Sequence, residues 1–480
     1  MTYLGLDLGT SSLKAVVIDA DQRTIGQAAA PLSVTRPRPG WSEQAPSEWI
    51  AAAEIALADI GTGCDLSSIA GIGLSGQMHG ATLLDEADRP IRPSILWNDT
   101  RAHAEAAALD ADPQFRDLSA NVVFPGFTAP KLVWIARHEP EVFARTSKVL
   151  LPKDYLRLWL TGEHVSDMSD AAGTAWLDVG ARSWADSLLA ASGMSPAQMP
   201  RLVEGTEVSG QLRPALADRL GLPTGIPVAG GGGDNAATAV GMGILKEGQA
   251  FASLGTSGVL FAANDSFRPN PASAVHTFCH AVAGRWHQMG VILAATDALD
   301  WLARITQCRP AELIAPLGEL RPPGRPLFLP YLGGERTPHN DARVRGAFIG
   351  LDHTTDRDEL VRAVLEGVCF AFADCRDALA ATGTHLTRVT AAGGGSRSEH
   401  WLAMLATALD CIVDVPADVD VSAAFGAARL GLLAAEGAEP DAICAQPAIA
   451  RSIAPNSDLK DAYITAYAGF RDAYAALKDF

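Results

Sequence analysis

At 480 residues the chain exceeds the roughly 250–300 at which a single hydrophobic core stops growing, so at least two domains are expected. Apolar residues at 48% and charged residues at 19% suit a soluble globular protein, and no uncharged apolar run reaches the about 18 residues of a membrane span. The net charge of -17 opposes binding along nucleic acid phosphates, and the seven scattered cysteines, odd in number and without CxxC spacing, argue against a disulfide framework or a zinc site.

The first residues enter an alternating apolar pattern with none of the features of a secretory leader, which makes the cytoplasm the expected location. Residues 3–8 (YLGLDL) and 13–18 (LKAVVI) are β-prone runs joined by Gly9–Ser12, a hairpin with a polar turn. A third strand is expected over 24–30, then a helix over 46–58 with Ser47 as its N-cap, then a buried strand over 68–74 that runs out into SGQMHG. Antiparallel strands, a helix and a parallel strand make an α/β order. That order restarts later, where 251–254 and 259–263 flank Gly255–Gly258 as another hairpin. A long helix over 356–379, a strand over 388–392 and a glycine turn into a helix near Ser396 follow, and beyond about residue 440 only a short helical tail is expected. The simplest division is two α/β domains, 1–243 and 244–480, with the boundary near Gly241–Glu247.

Both hairpin turns spell Leu-Gly-Thr-Ser, at Leu8–Ser11 and Leu254–Ser257. In such a turn backbone N–H groups and the hydroxyls of Thr10, Ser11 and Thr256 can converge on an anion, so the two hairpins are candidates to grip a polyphosphate from either side of a cleft. AGGGGDNAATAVG, Ala229–Gly241, sets four glycines before Asp234 and a helix start. Asp234 can serve there as a helix cap, but a cap does not require the glycines, which bring the backbone close to something; a carboxylate so placed can take a proton from a substrate hydroxyl. AAGGGSRSEHW, Ala391–Trp401, is a strand, glycine turn and helix start that suits phosphate or adenine. No GxxxxGK[ST] loop or persuasive GxGxxG fingerprint is present. Gln77, His79, Trp97 and Asn98 combine donors, acceptors and a flat apolar wall, which suits a polyol.

Along almost its whole length the chain resembles the FGGY family of carbohydrate kinases. The resemblance rests on GLDLGTSSLKAVVID, GWSEQAP, GLSGQMHGATLLD, RPSILWNDTRA, LLPKDYLRL, SDMSDAAGTAWLDV, GGGGDNAATAVG, SLGTSGV, LPYLGGERTPHN, GGGSRSEHW and FGAARL. It implies a two-domain α/β fold of the actin and hexokinase (ribonuclease H-like) superfamily with the active site in an interdomain cleft. The activity implied is phosphorylation of D-xylulose by ATP, with Mg2+. Asp234 is then the catalytic base, and Asp7 lies by the metal and phosphates. Met78, His79, Trp97, Asp234 and Asn235 are implied to hold the sugar. The nucleotide falls to Thr10, Ser11, Lys14, Gly255, Thr256, Gly393, Gly394 and Ser398. Neither nucleic acid nor membrane is expected as a partner, and a homodimer is left open.

Departures from the family pattern are small: Phe425 stands where a smaller aliphatic residue is expected, and Cys369 where Gly or Ala is common. Two alternatives stay open. A kinase of the same family for ribulose, gluconate or glycerol would keep Asp7 and Asp234 but differ around Met78 and His79. A nucleotide-gated assembly protein on the same fold would need no base at Asp234.

Overall fold

The computed structural model describes residues 1–417 and 422–480. The chain divides into two compact units: Met1–Leu245, Phe278–Trp286 and Asp420–Gln446 form the first, and Lys246–Thr277, His287–Val419 and Pro447–Phe480 form the second. The first unit is therefore assembled from separate stretches of chain, including a late one that chain order alone would assign to the second half. Among the described residues no helix is long and apolar enough to cross a membrane.

The first unit opens with β1 (Thr2–Leu8), β2 (Ser12–Asp19) and β3 (Thr24–Pro31), followed by α1 (Pro46–Ile60) and β4 (Ile69–Gly76). Helices α2 (Thr128–His138) and α3 (Pro152–Thr161), strands β5 (Val208–Gln211) and β6 (Pro227–Ala229), and α4 (Asp234–Gly241) complete its main elements up to residue 245. Among the described residues the sheet is seven-stranded in the order β5-β6-β4-β1-β2-β3, with the short Gly232–Gly233 strand added beside β4. As expected, β1, β2 and β3 are antiparallel and β4 runs parallel to β1. Helix α1 buries Trp49, Ala52, Ala53, Ala56, Leu57 and Ile60, the helical spacing of one apolar face, against β2 and β3. Full burial of a side chain such as Leu57 or Ile60 is worth about 1.5–3 kcal/mol. Ser47 does not cap this helix: Ala45 occupies the N-cap without a side-chain bond, and Pro46, with its fixed φ, starts the helix and leaves Ser47 inside the first turn.

The second unit repeats the arrangement. A hairpin of β7 (Ala250–Leu254) and β8 (Gly258–Asn264) is followed by β9 (His276–Cys279), β10 (Trp286–Ile292), α5 (Thr296–Ile305), α6 (Arg357–Ala380), β11 (Arg388–Ala392), α7 (Glu399–Leu409) and β12 (Ile412–Pro416), with the end of β9 and Trp286 counted to the first unit. Next comes α8 (Ala423–Glu436), which belongs to the first unit; β13 (Ile449–Ile453) and α9 (Lys460–Leu477) then return to the second. The second sheet runs β9-β10-β8-β7-β11-β12-β13, and β11 lies parallel to β7 as β4 does to β1. Helix α6 is buried over most of its length and capped by the Asp356 side chain, which accepts from Glu359 N. Helix α7 starts later than its glycine turn suggests: Gly394–Arg397 form a 3-10 turn, and Ser398 caps the helix by accepting from Trp401 N at 3.2 Å.

Helix α8 covers one face of the first sheet, against β1, β4 and β6, and also packs on α4. The contact is backbone to backbone. A Cβ on Gly73 of β4 would stand 1.7 Å from Ala427 O, and one on Gly426 would stand 1.8 Å from Ala237 O, so only glycine permits this approach at either position.

Candidate active site

Strand register concentrates the chemistry of the first unit at one end of its sheet. Asp7 on β1 pairs with Lys14 on β2 and with Ser75 on β4, and Ser75 pairs in turn with Gly232, two residues before Asp234. The Asp7 carboxyl is pushed up to about 6, first by burial and then by the charge of Asp234, against a Ser75 hydrogen bond and the Lys14 ammonium. Its Oδ1 is buried with no hydrogen-bond partner among the described residues. An orphaned carboxylate oxygen of this kind fits Mg2+, a hard cation that takes one or two protein carboxylates and keeps its waters.

Asp234 is the first residue of α4, with Gly233 in the N-cap position. Its Oδ1 accepts from Asn235 N at 2.7 Å and from Asn235 Nδ2 at 3.0 Å. Burial nevertheless holds the carboxyl above its ordinary range. The glycine run before it is held by side chains as well as by the Gly232–Gly233 pairing with β4: Arg157 Nη1 donates to Ala229 O at 2.6 Å and its Nη2 to Gly230 O, and Ser169 Oγ accepts from Gly233 N at 3.1 Å. Ser169 is itself bound to Asp167, part of a fully buried cluster with Asp154 and Asp170. These three carboxylates could in principle hold a cation, but the Lys153 ammonium already stands among them at 2.5, 2.8 and 3.4 Å. The cluster is therefore a support for the glycine run, and sequence spacing gave no sign of it.

Met78 and His79 leave the end of β4. Met78 lies against Gly233, where a Cβ would meet its Sδ at 2.8 Å, so it sits beside Asp234. His79 adopts a left-handed φ of 69°. That backbone is fixed by its carbonyl, which accepts from Lys131 Nζ at 2.8 Å and Thr128 Oγ1 at 3.1 Å, while the ring stacks on Phe127 at 4.7 Å. His79 Nδ1 lies 2.6 Å from Gly173 O; a carbonyl can only accept, so Nδ1 carries the proton. Lys131 itself is fully buried and its pKa is drawn down to about 7, chiefly by burial, with Asp99 opposing and Arg101 adding to the effect.

Trp97 is 45% exposed, and its Nε1 donates to Thr10 Oγ1 at 3.0 Å, which joins it to the first hairpin turn. The loop behind it is anchored by buried ions: Arg101 Nη2 reaches Asp99 Oδ2 and Glu43 Oε1, each at 2.7 Å, and Glu43 also binds Arg92. Asn98 Oδ1 is buried and without a partner among the described residues. Gln77, grouped by sequence with the polyol-facing residues, is instead 3% exposed and spends its amide on Thr10, Gln44 and Gly9. The first unit thus gathers Asp7, Thr10, Lys14, Met78, His79, Trp97, Asp234 and Asn235, with Ser11 exposed in the hairpin turn.

The remaining predicted residues lie on the second unit. Parallel pairing sets Ser253 of β7 opposite Ala392 of β11, which brings the Gly255–Thr256 turn beside the glycine turn at Gly393. Gly393 has φ of +81°, and a Cβ there would stand 2.7 Å from Leu254 O. Gly394 and Ser398 line a groove of about 540 Å³ together with Leu299, Asp300, Arg397 and Trp401. An apolar floor with a few polar groups and a glycine approach can receive a flat heterocycle and its ribose.

Models of the N-terminal and C-terminal domains of the FGGY carbohydrate kinases match residues 2–241 and 250–435. The chain belongs to the FGGY family of carbohydrate kinases. It is 50% identical over 437 residues to the xylulose kinase of Escherichia coli (strain K12), covering 90% of each chain. Among solved structures it is similar to a xyloylose kinase from Brucella ovis, at 58% identity and TM-score 0.98 over 99% of both chains. It is also similar to a xylulose kinase from Rhodospirillum rubrum, at 30% identity and TM-score 0.94, covering 100% of this chain and 99% of that one. The fold is the two-domain α/β fold of FGGY kinases.

Proposed function

We propose that this FGGY kinase transfers the terminal phosphoryl group of ATP to D-xylulose, giving D-xylulose 5-phosphate. The observation that carries the reading is the Asp234 carboxylate at the head of α4, raised in proton affinity and set beside Met78 and within electrostatic reach of Asp7. The choice of sugar is supported by relatives named for xylulose that match across nine-tenths of both chains.

Asp234 takes the proton of the terminal hydroxyl as that oxygen attacks phosphorus, and its elevated proton affinity suits the task. Met78, His79, Trp97 and Asn235 orient the sugar; a locked imidazole tautomer and a flat indole wall would hold its hydroxyl in line for attack. Thr10, Ser11 and Lys14 attend the transferring phosphate, Gly255 and Thr256 the other phosphates, and Gly393, Gly394 and Ser398 the adenosine. Mg2+, held by Asp7, would supply neutralisation of phosphate charge. A cytoplasmic setting, where thiols stay reduced, suits seven cysteines that are all free.

A coupled ADP-release assay over ketopentoses, polyols and sugar acids tests the substrate. Xylulose turned over no better than its competitors would end the assignment. For the base, Asp234→Ala is expected to fold and bind ATP while losing transfer, and turnover retained within about tenfold of the parent would remove that role.

A further inference from the structure

The Thr10 hydroxyl terminates a hydrogen-bond chain whose direction is set at its buried end. Trp49 Nε1 can only donate, and it bonds Gln44 Oε1 at 3.0 Å. Gln44 must therefore turn its amide nitrogen the other way, and that nitrogen donates to Thr10 O at 2.7 Å and Ser33 O at 3.2 Å, both obligate acceptors. The same Gln44 Oε1 accepts from Gln77 Nε2 at 2.9 Å, so the carbonyl end of Gln77 faces Thr10 Oγ1 at 3.1 Å. Flipping Gln44 would set its N–H groups against those of Trp49 and Gln77, and flipping Gln77 would set two carbonyl oxygens against one another. Thr10 thus spends its single hydroxyl proton on Gln77 and presents lone pairs outward, where Trp97 Nε1, again only a donor, bonds it at 3.0 Å. Trp49, Gln44 and Gln77 are all buried.

We propose that Gln44 and Gln77 are positioning residues that hold the Thr10 hydroxyl as an acceptor. The sugar-facing indole of Trp97 and the phosphate-facing hairpin turn are thereby aligned as one piece. The proposal rests on the roles given above to Trp97 and Thr10. It alters one of them: a hydroxyl with no proton left to give does not donate to a phosphate oxygen, and that contact falls to backbone N–H groups and Lys14. Ordering of the indole by sugar is then felt directly at the turn.

A double-mutant cycle tests the link. Trp97→Phe keeps an aromatic face and deletes the N–H along with one ring of the indole; it is expected to lower kcat about three- to tenfold, chiefly the worth of the lost hydrogen bond, with KM for ATP within about twofold. In a Thr10→Val background the same change should cost less than about twofold. Equal losses in both backgrounds overturn the proposal. A second readout needs no turnover: the Trp97 indole resonance, identified in 15N-labelled protein as the one missing from Trp97→Phe, should move in Gln77→Met and in Gln44→Leu. A resonance unmoved in whichever of these folds refutes the relay, whatever sugar the protein uses. Failure of the parent enzyme to phosphorylate any ketopentose would instead refute only the proposed function.

Discussion

Replacing Gly426 by alanine probes whether the α8 contact positions the catalytic base. The new Cβ would stand 1.8 Å from Ala237 O, where ordinary contact begins at 3.4 Å, so α8 and α4 must separate by about 1.6 Å (3.4 minus 1.8). Alanine favours an isolated helix over glycine by about 1 kcal/mol, but overpacking typically costs about 1–3 kcal/mol, and here the obstacle is unyielding backbone. The clash is therefore expected to win, lowering the melting temperature by several degrees, at about 2–4 °C per kcal/mol for a unit of this size. Because α4 begins at Asp234, a shift on the order of 1 Å should also lower kcat about a hundredfold while leaving KM for ATP near its parent value. Thermal unfolding and the coupled ADP assay read both quantities. Gly63→Ala serves as control, since its Cβ would meet nothing within 4 Å. A Gly426→Ala protein with unchanged melting temperature and kcat within twofold would refute the reasoning.

Three further outcomes are expected. Gly394→Ala meets open space and should leave thermal stability unchanged, but its methyl projects at the groove, so KM for ATP should rise several-fold; a KM equal to the parent's counts against the adenosine assignment. Gly173→Ala would bring a Cβ within 2.4 Å of His79 Nδ1, so KM for sugar should rise at least about tenfold with ATP binding intact, measured by initial rates at saturating ATP. Glu335 is pushed up to about 8 from 4.5 by burial, although its Oε1 accepts from Leu293 N and Arg336 N. Between those pH values the folded chain keeps a proton that the unfolded chain releases, so stability falls as pH rises through the window. Denaturant titrations of Glu335→Gln should show a flatter profile from pH 5 to 9, and a profile parallel to the parent's would contradict this origin.

Much of the site was legible because its chemistry sits at strand ends. The alternation of residues 3–8 and 13–18 reveals a hairpin, and the antiparallel register then puts Lys14 opposite Asp7 without further information. Four glycines before Asp234 likewise announce a backbone under close approach, which Met78 and the Arg157 bonds make concrete. What escaped was long-range. Nothing local to residues 423–436 says that this helix covers β1 and β4, since an alanine- and leucine-rich helix suits any sheet; Gly426 and Gly431 were the available signal. Strand β13 is mostly exposed and lacks alternation, so period gave it no mark. The inward use of Gln77 depends on Gln44 and Trp49, which meet it only through the fold, although GWSEQAP had carried part of the family resemblance.

The late position of α8 also bears on how the chain matures during synthesis. Strands β1 and β4 leave the ribosome early, yet the helix that covers their glycine-lined face is not translated until residues 423–436, after most of the second unit. Throughout that interval the first sheet has one uncovered face, and its final docking is a contact of very high sequence separation, the kind that closes slowly. A chain stopped at residue 245 would stay in that state, because the covering helix would never arrive.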